Sequence, residues 1–342
     1  MLRWELKKIV KNKTSIIALI LMGLLFIQIG FVKPMLETEN EYFDESKNEY
    51  IVDKRPGDVI AQEKLDNKVN EIKSIANKNT HGLKDENEKQ ISKMSKEKLS
   101  KDNGEKYKDV TFYQVFENRA TFPLATLLIV AIIVTLSSNL YTDERLSNVD
   151  TIILSSKNKY KALNSKLLIS IILPIIVYAI YLIATFIATY IQYGAPVNGG
   201  LQAYRISNIA SLVREMSIVQ YIASEIGVIS LVFIAISIFS ALFSFITKNS
   251  IQSISCSILF IAMGKILVFF KFLPYELMLI IHQCSFIDIL SKNSFIPTAY
   301  MGQIKLFSMN FDLVITCLST LGLIIVSGIL PNVYVFKKVL NR

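Results

Sequence analysis

The apolar positions of this chain fall in unbroken blocks, without the two-residue alternation of a half-buried strand. Six blocks reach the about 20 residues that a helix needs to cross hydrocarbon. They occupy 16–36, 120–141, 167–191, 225–246, 250–271 and 312–336. A shorter patch, 277–281 with 286–290, is broken by His282, Gln283 and Asp288, and reads as a re-entrant or interfacial piece. Ahead of the first block, within 1–15, Leu2, Leu6, Ile9 and Val10 share one face of a short amphipathic helix. Trp4 suits the headgroup layer, so this helix should lie flat on the inner leaflet. The pattern predicts an all-α integral membrane protein with six transmembrane helices, both termini cytoplasmic, and an extracytoplasmic helical insert between helices 1 and 2.

Composition agrees. Of 342 residues 52% are hydrophobic and only 19% charged, where a soluble domain carries about 25%. The net charge of +9 sits in short segments that flank the apolar blocks, which argues for membrane orientation and against nucleic acid. The N-terminus, the loop 142–166, the turn 247–249 and the tail 337–342 together hold fourteen Lys and Arg against four acidic residues. The opposite short loops, 192–224 and 272–311, hold only Arg205, Arg214, Lys292 and Lys305. This contrast places both termini in the cytoplasm and the chain in the plasma membrane as a multi-pass protein. The first block has a basic leader but no small-residue cleavage site around Phe31-Val32-Lys33-Pro34-Met35, so it reads as an uncleaved anchor.

The insert, 37–119, carries 16 basic and 19 acidic residues. Leu65, Val69, Ile72 and Ala76 recur at helical spacing, and Ile91, Met94 and Leu99 mark a second, weaker helix after a break at Asn79-Thr80-His81-Gly82. The reading is a helical hairpin projecting from the membrane, with a partly disordered spacer as the alternative. His81 is expected to be a turn residue at its tip.

No catalytic constellation is visible. H-E-x-x-H, G-x-S-x-G and a phosphate-cradling G-x-x-x-x-G-K-[ST] are absent, and Gly264-Lys265 lacks the rest of that loop. Two histidines and three cysteines (Cys256, Cys284, Cys317) without metal spacing exclude a His- or Cys-based site. The chain is therefore not expected to be an enzyme or to hold a cofactor or metal. Lys265 and Glu225 are the charges set inside the spans; Lys265 lies about 9 Å deeper, counted at 1.5 Å per residue from the 247–249 turn. They form a possible intramembrane pair, the alternatives being snorkelling and a place in a substrate path. Ser230, Ser237, Ser240, Ala241 and Ser244, facing Ser250, Ser253 and Ser257, would let the fourth and fifth helices pack closely, the alternative being serines that line a polar conduit.

The most informative segment follows the second block. Asp143-Glu144-Arg145 opens it, Val149, Ile152, Ile153 and Leu154 give a short amphipathic stretch, and Ser155-Ser156-Lys157 leads to a basic run ending at Lys166. With six spans and an amphipathic N-terminal helix, this loop resembles the ABC-2 family, the permease subunits of bacterial ABC exporters. That family typically has an acidic start, a Leu-Leu-Ser-x-Pro centre and a Lys before the third span. Here Ile153-Leu154-Ser155-Ser156-Lys157 stands at the centre, with Lys157 where Pro is common, and Ser147-Asn148 replaces a frequent Gly-Thr. The resemblance implies that 143–157 docks as a coupling helix into a separate cytoplasmic ABC ATPase subunit, which would hold ATP and Mg. It also implies a second permease subunit, identical or not, with the substrate path at their interface and membrane lipid around them. The few buried charges point to an amphipathic substrate, a peptide or lipid-like compound, for instance in antimicrobial peptide secretion or self-protection. A different class fits the same layout: a non-transporting membrane sensor or immunity protein whose insert binds a ligand.

Overall fold

The structure is a computed structural model that describes residues 2–44, 48–77, 85–270, 273–292, 295–306 and 309–340. Helix α1 (Leu2–Lys11) and the apolar rod α2 (Lys13–Phe31) meet at Asn12, whose backbone is extended. The Asn12 side chain donates to Asp143 and fixes this corner against the end of the second span. Strands β1 (Glu41–Asp44) and β2 (Glu49–Val52) form an antiparallel hairpin, followed by the helices α3 (Gly57–Ala76) and α4 (Glu86–Lys101). Helix α5 (Thr111–Ala120) leads into α6 (Pro123–Leu146), where Pro in the first turn removes only an N–H that would have no helical partner. Then come α7 (Val149–Ser155), α8 (Lys159–Tyr193), a 3₁₀ turn (Ala203–Arg205) and α9 (Ile218–Ile246). Helices α10 (Ser250–Phe269), α11 (Tyr275–Gln283) and α12 (Phe286–Ser291) precede a second hairpin, β3 (Gln303–Leu306) with β4 (Met309–Asp312), and the final helix α13 (Leu313–Leu340).

Among the described residues six helices, within α2, α6, α8, α9, α10 and α13, are long and apolar enough to cross a membrane. The all-α membrane fold with six spans is therefore what the hydropathy blocks predict. The two short β-hairpins were not foreseen. Helix α9 begins at Ile218, ahead of the apolar block at 225, because Ser217 and Gln220 close a reciprocal capping box on its first turn.

Burial sorts the six helices. In α6 67% of the spanning window is covered, in α10 only 11%, so α6 lies inside the bundle and α10 on its rim. Helix α9 is the centre: Val232, Phe233, Ala235 and Ile236 pack with Ile129, Ile133, Leu173 and Val177. A serine seam joins three helices at one end: Ser137 to Ser237 at 2.8 Å, Thr142 to Ser250 at 3.0 Å and Ser138 to Ser257 at 3.4 Å. The expected seam between α9 and α10 thus has α6 as a third member, through the three hydroxyl pairs that join it to Ser237, Ser250 and Ser257. Helix α13 approaches α9 through Gly328, where an added Cβ would lie 2.8 Å from Ile238 Cγ2 and Phe239 Cε2.

The insert is folded onto the loops that follow α8. Helix α3 buries Ile60, Ala61, Leu65, Val69, Ile72 and Ala76. Leu65, Val69 and Ile72 pack with Tyr204 and Ala210. The sequence stripe looked thin because its apolar partners come from a loop more than a hundred residues later. The buried face of α4 is polar instead: Ser92, Ser95 and Lys98 with Met94. Lys98 Nζ donates to Ala210 O at 2.8 Å and Ser211 O at 2.7 Å, and Arg205 grips Asp102 through Nε and Nη2 at 2.6 and 2.8 Å. The proposed break at 79–82, His81 included, lies outside the described residues.

Burial pushes the Lys98 amine down from 10.5 to about 8. An unfolded insert then binds more protons than the docked one between pH about 8 and 10.5, so docking should strengthen as pH rises through that window. Below pH about 8 both states are protonated and the dependence on Lys98 vanishes. Hydrogen exchange in α4 measured across this range checks it: protection that falls from pH 8 to 10, after correction for intrinsic rates, would contradict the assignment.

Candidate coupling site

The last turn of α6 carries Asp143, Glu144 and Arg145, and all three point into the protein. Glu144, 1% exposed, accepts from Lys166 Nζ at 2.7 Å and Lys8 Nζ at 2.5 Å. Lys166, fully buried in α8, also reaches Glu5 of α1 at 3.1 Å and Leu140 O at 2.9 Å. Two cations and two carboxylates thus form a neutral network, buried except for Lys8 at its edge, that welds α1, α6 and α8 together. Neutrality matters because an unpaired charge there would carry its full desolvation cost. Arg145 donates to Thr247 O at 2.6 Å and Phe245 O at 3.2 Å, tying α6 to the α9–α10 turn, and its guanidinium lies over the Tyr141 ring.

Beyond this anchor the chain reverses at Asn148, whose φ of +55° is a left-handed conformation that Asn tolerates. Helix α7 follows, and Ser156, extended, releases the chain into α8. Ile152 is 67% exposed, Ser155 and Lys157 are exposed, and Val149, Ile153 and Ser156 are half-buried. The Leu154 side chain lies outside the described residues. Leu146, 61% exposed, adds an apolar group that sequence reasoning missed.

The structure therefore divides the ten residues assigned to ATPase coupling. Val149 to Lys157 form the presented element. Asp143, Glu144 and Arg145 instead make internal contacts: Asp143 with Asn12, Glu144 with Lys8 and Lys166, and Arg145 with the Thr247 and Phe245 carbonyls. Helix α1 is also keyed into the bundle, since Glu5 is buried against Lys166 of α8.

The proposed Glu225–Lys265 pair does not form. Lys265 Nζ meets Asp288 of α12 at 2.5 Å, while Glu225 accepts from Thr298 Oγ1 at 2.9 Å and lies 3.8 Å from Lys292, which also pairs with Glu117. The physical reason is the fold-back of α11 and α12, which supplies a nearer partner to each. Thr126 Oγ1 donates to Leu290 O at 3.1 Å, and Gly264 approaches Ser285 so closely that a Cβ would sit 3.1 Å from its Cα. The α11–α12 segment is thus clamped to α6 and α10. Sequence reasoning also missed Arg119, buried just ahead of α6, which donates to Val32 O, Thr189 Oγ1 and Gln192 Oε1. At the insert end a cavity of about 500 Å³ is lined by polar groups including Glu37, Lys64, Lys68, Gln114 and Glu117.

Six apolar helices around a buried centre, with a short helix between the second and third, define a multi-pass membrane protein. A family model described as ABC-2 family transporter protein matches residues 38–332. The chain belongs to this family and is a membrane permease of an ABC-type transporter, a family that implies an ABC ATPase partner. No curated protein and no solved structure matches the chain.

Proposed function

We propose that this chain is the membrane-spanning permease subunit of an exporter in which α7 receives the motion of a separate cytoplasmic ATPase. The observation that carries this reading is the double anchorage of α7. Asp143, Glu144 and Arg145 on one side and Lys166 on the other tie its flanking helices to α1 and to the α9–α10 turn. A push on α7 then moves several spans together. Both termini and α7 face the cytoplasm in this arrangement; ATP and Mg belong to the partner, and this chain supplies no catalytic group and no cofactor. A second permease subunit completes the path in the plasma membrane, and an amphipathic peptide or lipid-like compound is the cargo, consistent with α10 and α13 offering largely apolar faces.

Replacing Ile152 with Asp puts a charge on the presented face without touching the core. The full chain, tagged and extracted gently from its native membrane, should co-purify with an ATPase subunit at equal stoichiometry. Ile152→Asp should lower that recovery about tenfold or more, the loss expected when an apolar anchor in a docking groove becomes a desolvated charge. Recovery of the chain alone, or an ATPase bound equally to both forms, would refute the coupling role. The alternative reading, a sensor or immunity protein, draws support from the polar cavity at the insert end. There Lys68 pairs with Glu37 at 2.8 Å and the Lys64 amine donates to Leu36 O and Glu39 O, so both amines already have partners.

A further inference from the structure

We propose that the cavity beside α1 holds the phosphate headgroup of an anionic phospholipid. It has a volume of about 560 Å³ and is lined by Trp4, Lys7, Lys8, Lys11, Asn12, Asp143 and Ser147. Lys8 is engaged with Glu144, so two further lysines, Lys7 and Lys11, face one carboxylate, and that carboxylate already accepts from Asn12. Lys7 and Lys11 are exposed, and among the described residues no carboxylate pairs with either. The local excess of positive charge is therefore open to an anion.

Two features choose a lipid over a free phosphate. The next helix, α2, exposes Ile16, Ile17, Leu19 and Ile20 directly after the basic helix, an apolar surface that suits acyl chains and not water. Trp4, also exposed, is the side chain expected at the boundary between headgroups and hydrocarbon. A headgroup at the level of α1 places its phosphate among the lysines while its chains run along α2. Lys8 lines this cavity and also contacts Glu144, so the bound charge sits one ion pair from the network that holds α1, α6 and α8. The inference needs the membrane fold only, and stands apart from the coupling role of α7.

Trp4 is the sole tryptophan of the chain, which makes its fluorescence a site-specific reporter. The full chain is reconstituted into phosphatidylcholine vesicles containing a minor, equal fraction of brominated lipid, either phosphatidylglycerol or phosphatidylcholine. Bromine quenches on contact. Brominated phosphatidylglycerol should quench Trp4 well beyond brominated phosphatidylcholine, and the difference should shrink with added salt. The double variant Lys7→Gln/Lys11→Gln should weaken this preference about 25-fold, at about fivefold per basic side chain near an anionic surface. Lys7→Arg/Lys11→Arg, which keeps the charge, should retain it and shows that the fold is intact. Soluble glycerol phosphate should leave the quenching unchanged; displacement by it would assign the cavity to a free anion and overturn the lipid. Equal quenching by the two lipids, or a preference untouched in the Gln variant, overturns the proposal outright.

Discussion

Replacing Lys166 with Met should cost the folded protein about 3–5 kcal/mol, the usual consequence of stripping one partner from a buried ion pair. Met fills much the same volume, so packing is nearly conserved and the charge is what changes. Glu144 keeps Lys8 at 2.5 Å, but Glu5 loses the one cation that reaches it among the described residues. Leu140 O, which accepts from the same amine, also loses its donor. The double variant Lys166→Met/Glu144→Gln leaves one cation and one carboxylate, Lys8 and Glu5, and restores neutrality. It should recover part of the loss, with a coupling energy of about 1–3 kcal/mol in the double-mutant cycle. Thermal inactivation in mild detergent, followed by loss of the monodisperse species, measures each corner of the cycle. A Lys166→Met protein as stable as the parent would mean that water reaches the network, and the welding of α1, α6 and α8 would have to be abandoned.

That network shows where sequence reasoning stops. The six spans were readable because each hydrophobic block is long, and lipid demands continuous apolar surface whatever lies next to it. Helix ends were less readable: α8 starts at Lys159, ahead of the block at 167, because a helix outside hydrocarbon can carry Lys161 and Lys166 on its first turns. Lys166 looked like one more positive charge near a membrane surface. Nothing in its neighbours in sequence announces that Glu5, 161 residues earlier, and Glu144 converge on it. The insert behaved alike. Leu65, Val69 and Ile72 marked α3 correctly, yet Lys98 was invisible as a buried group because its partners are two backbone carbonyls, at Ala210 and Ser211. Strands β1 and β2 escaped notice since four-residue segments with exposed Tyr42, Phe43 and Tyr50 carry no alternating apolar face. The amphipathic stretch of α7 was legible as a helix, and the contacts flanking it were not, for one reason: an exposed residue is defined by its own chemistry, a buried charge by its partner.

The re-entrant clamp offers the second large effect, and it is asymmetric. Asp288 is 1% exposed while Lys265 is 40% exposed and stands near the end of α10. Lys265→Met leaves a carboxylate enclosed with no cation and should destabilise the α11–α12 fold-back by about 3 kcal/mol. Asp288→Asn leaves a long flexible amine that can reach the membrane boundary by snorkelling, and should cost only about 1 kcal/mol. The double variant, with both charges gone, should lie close to Asp288→Asn. Cys284 reads this out, because it caps α11 and is buried, its thiol 3.7 Å from Cys317 O. In a Cys256→Ser background, which removes the more accessible thiol, a maleimide dye should label Lys265→Met roughly a hundredfold faster than the parent, the rate equivalent of about 3 kcal/mol of local opening. Asp288→Asn should label only several-fold faster. The reverse order would mean that the amine, not the carboxylate, is the group that cannot stand alone, and would place Lys265 deep in the bundle instead of at its rim.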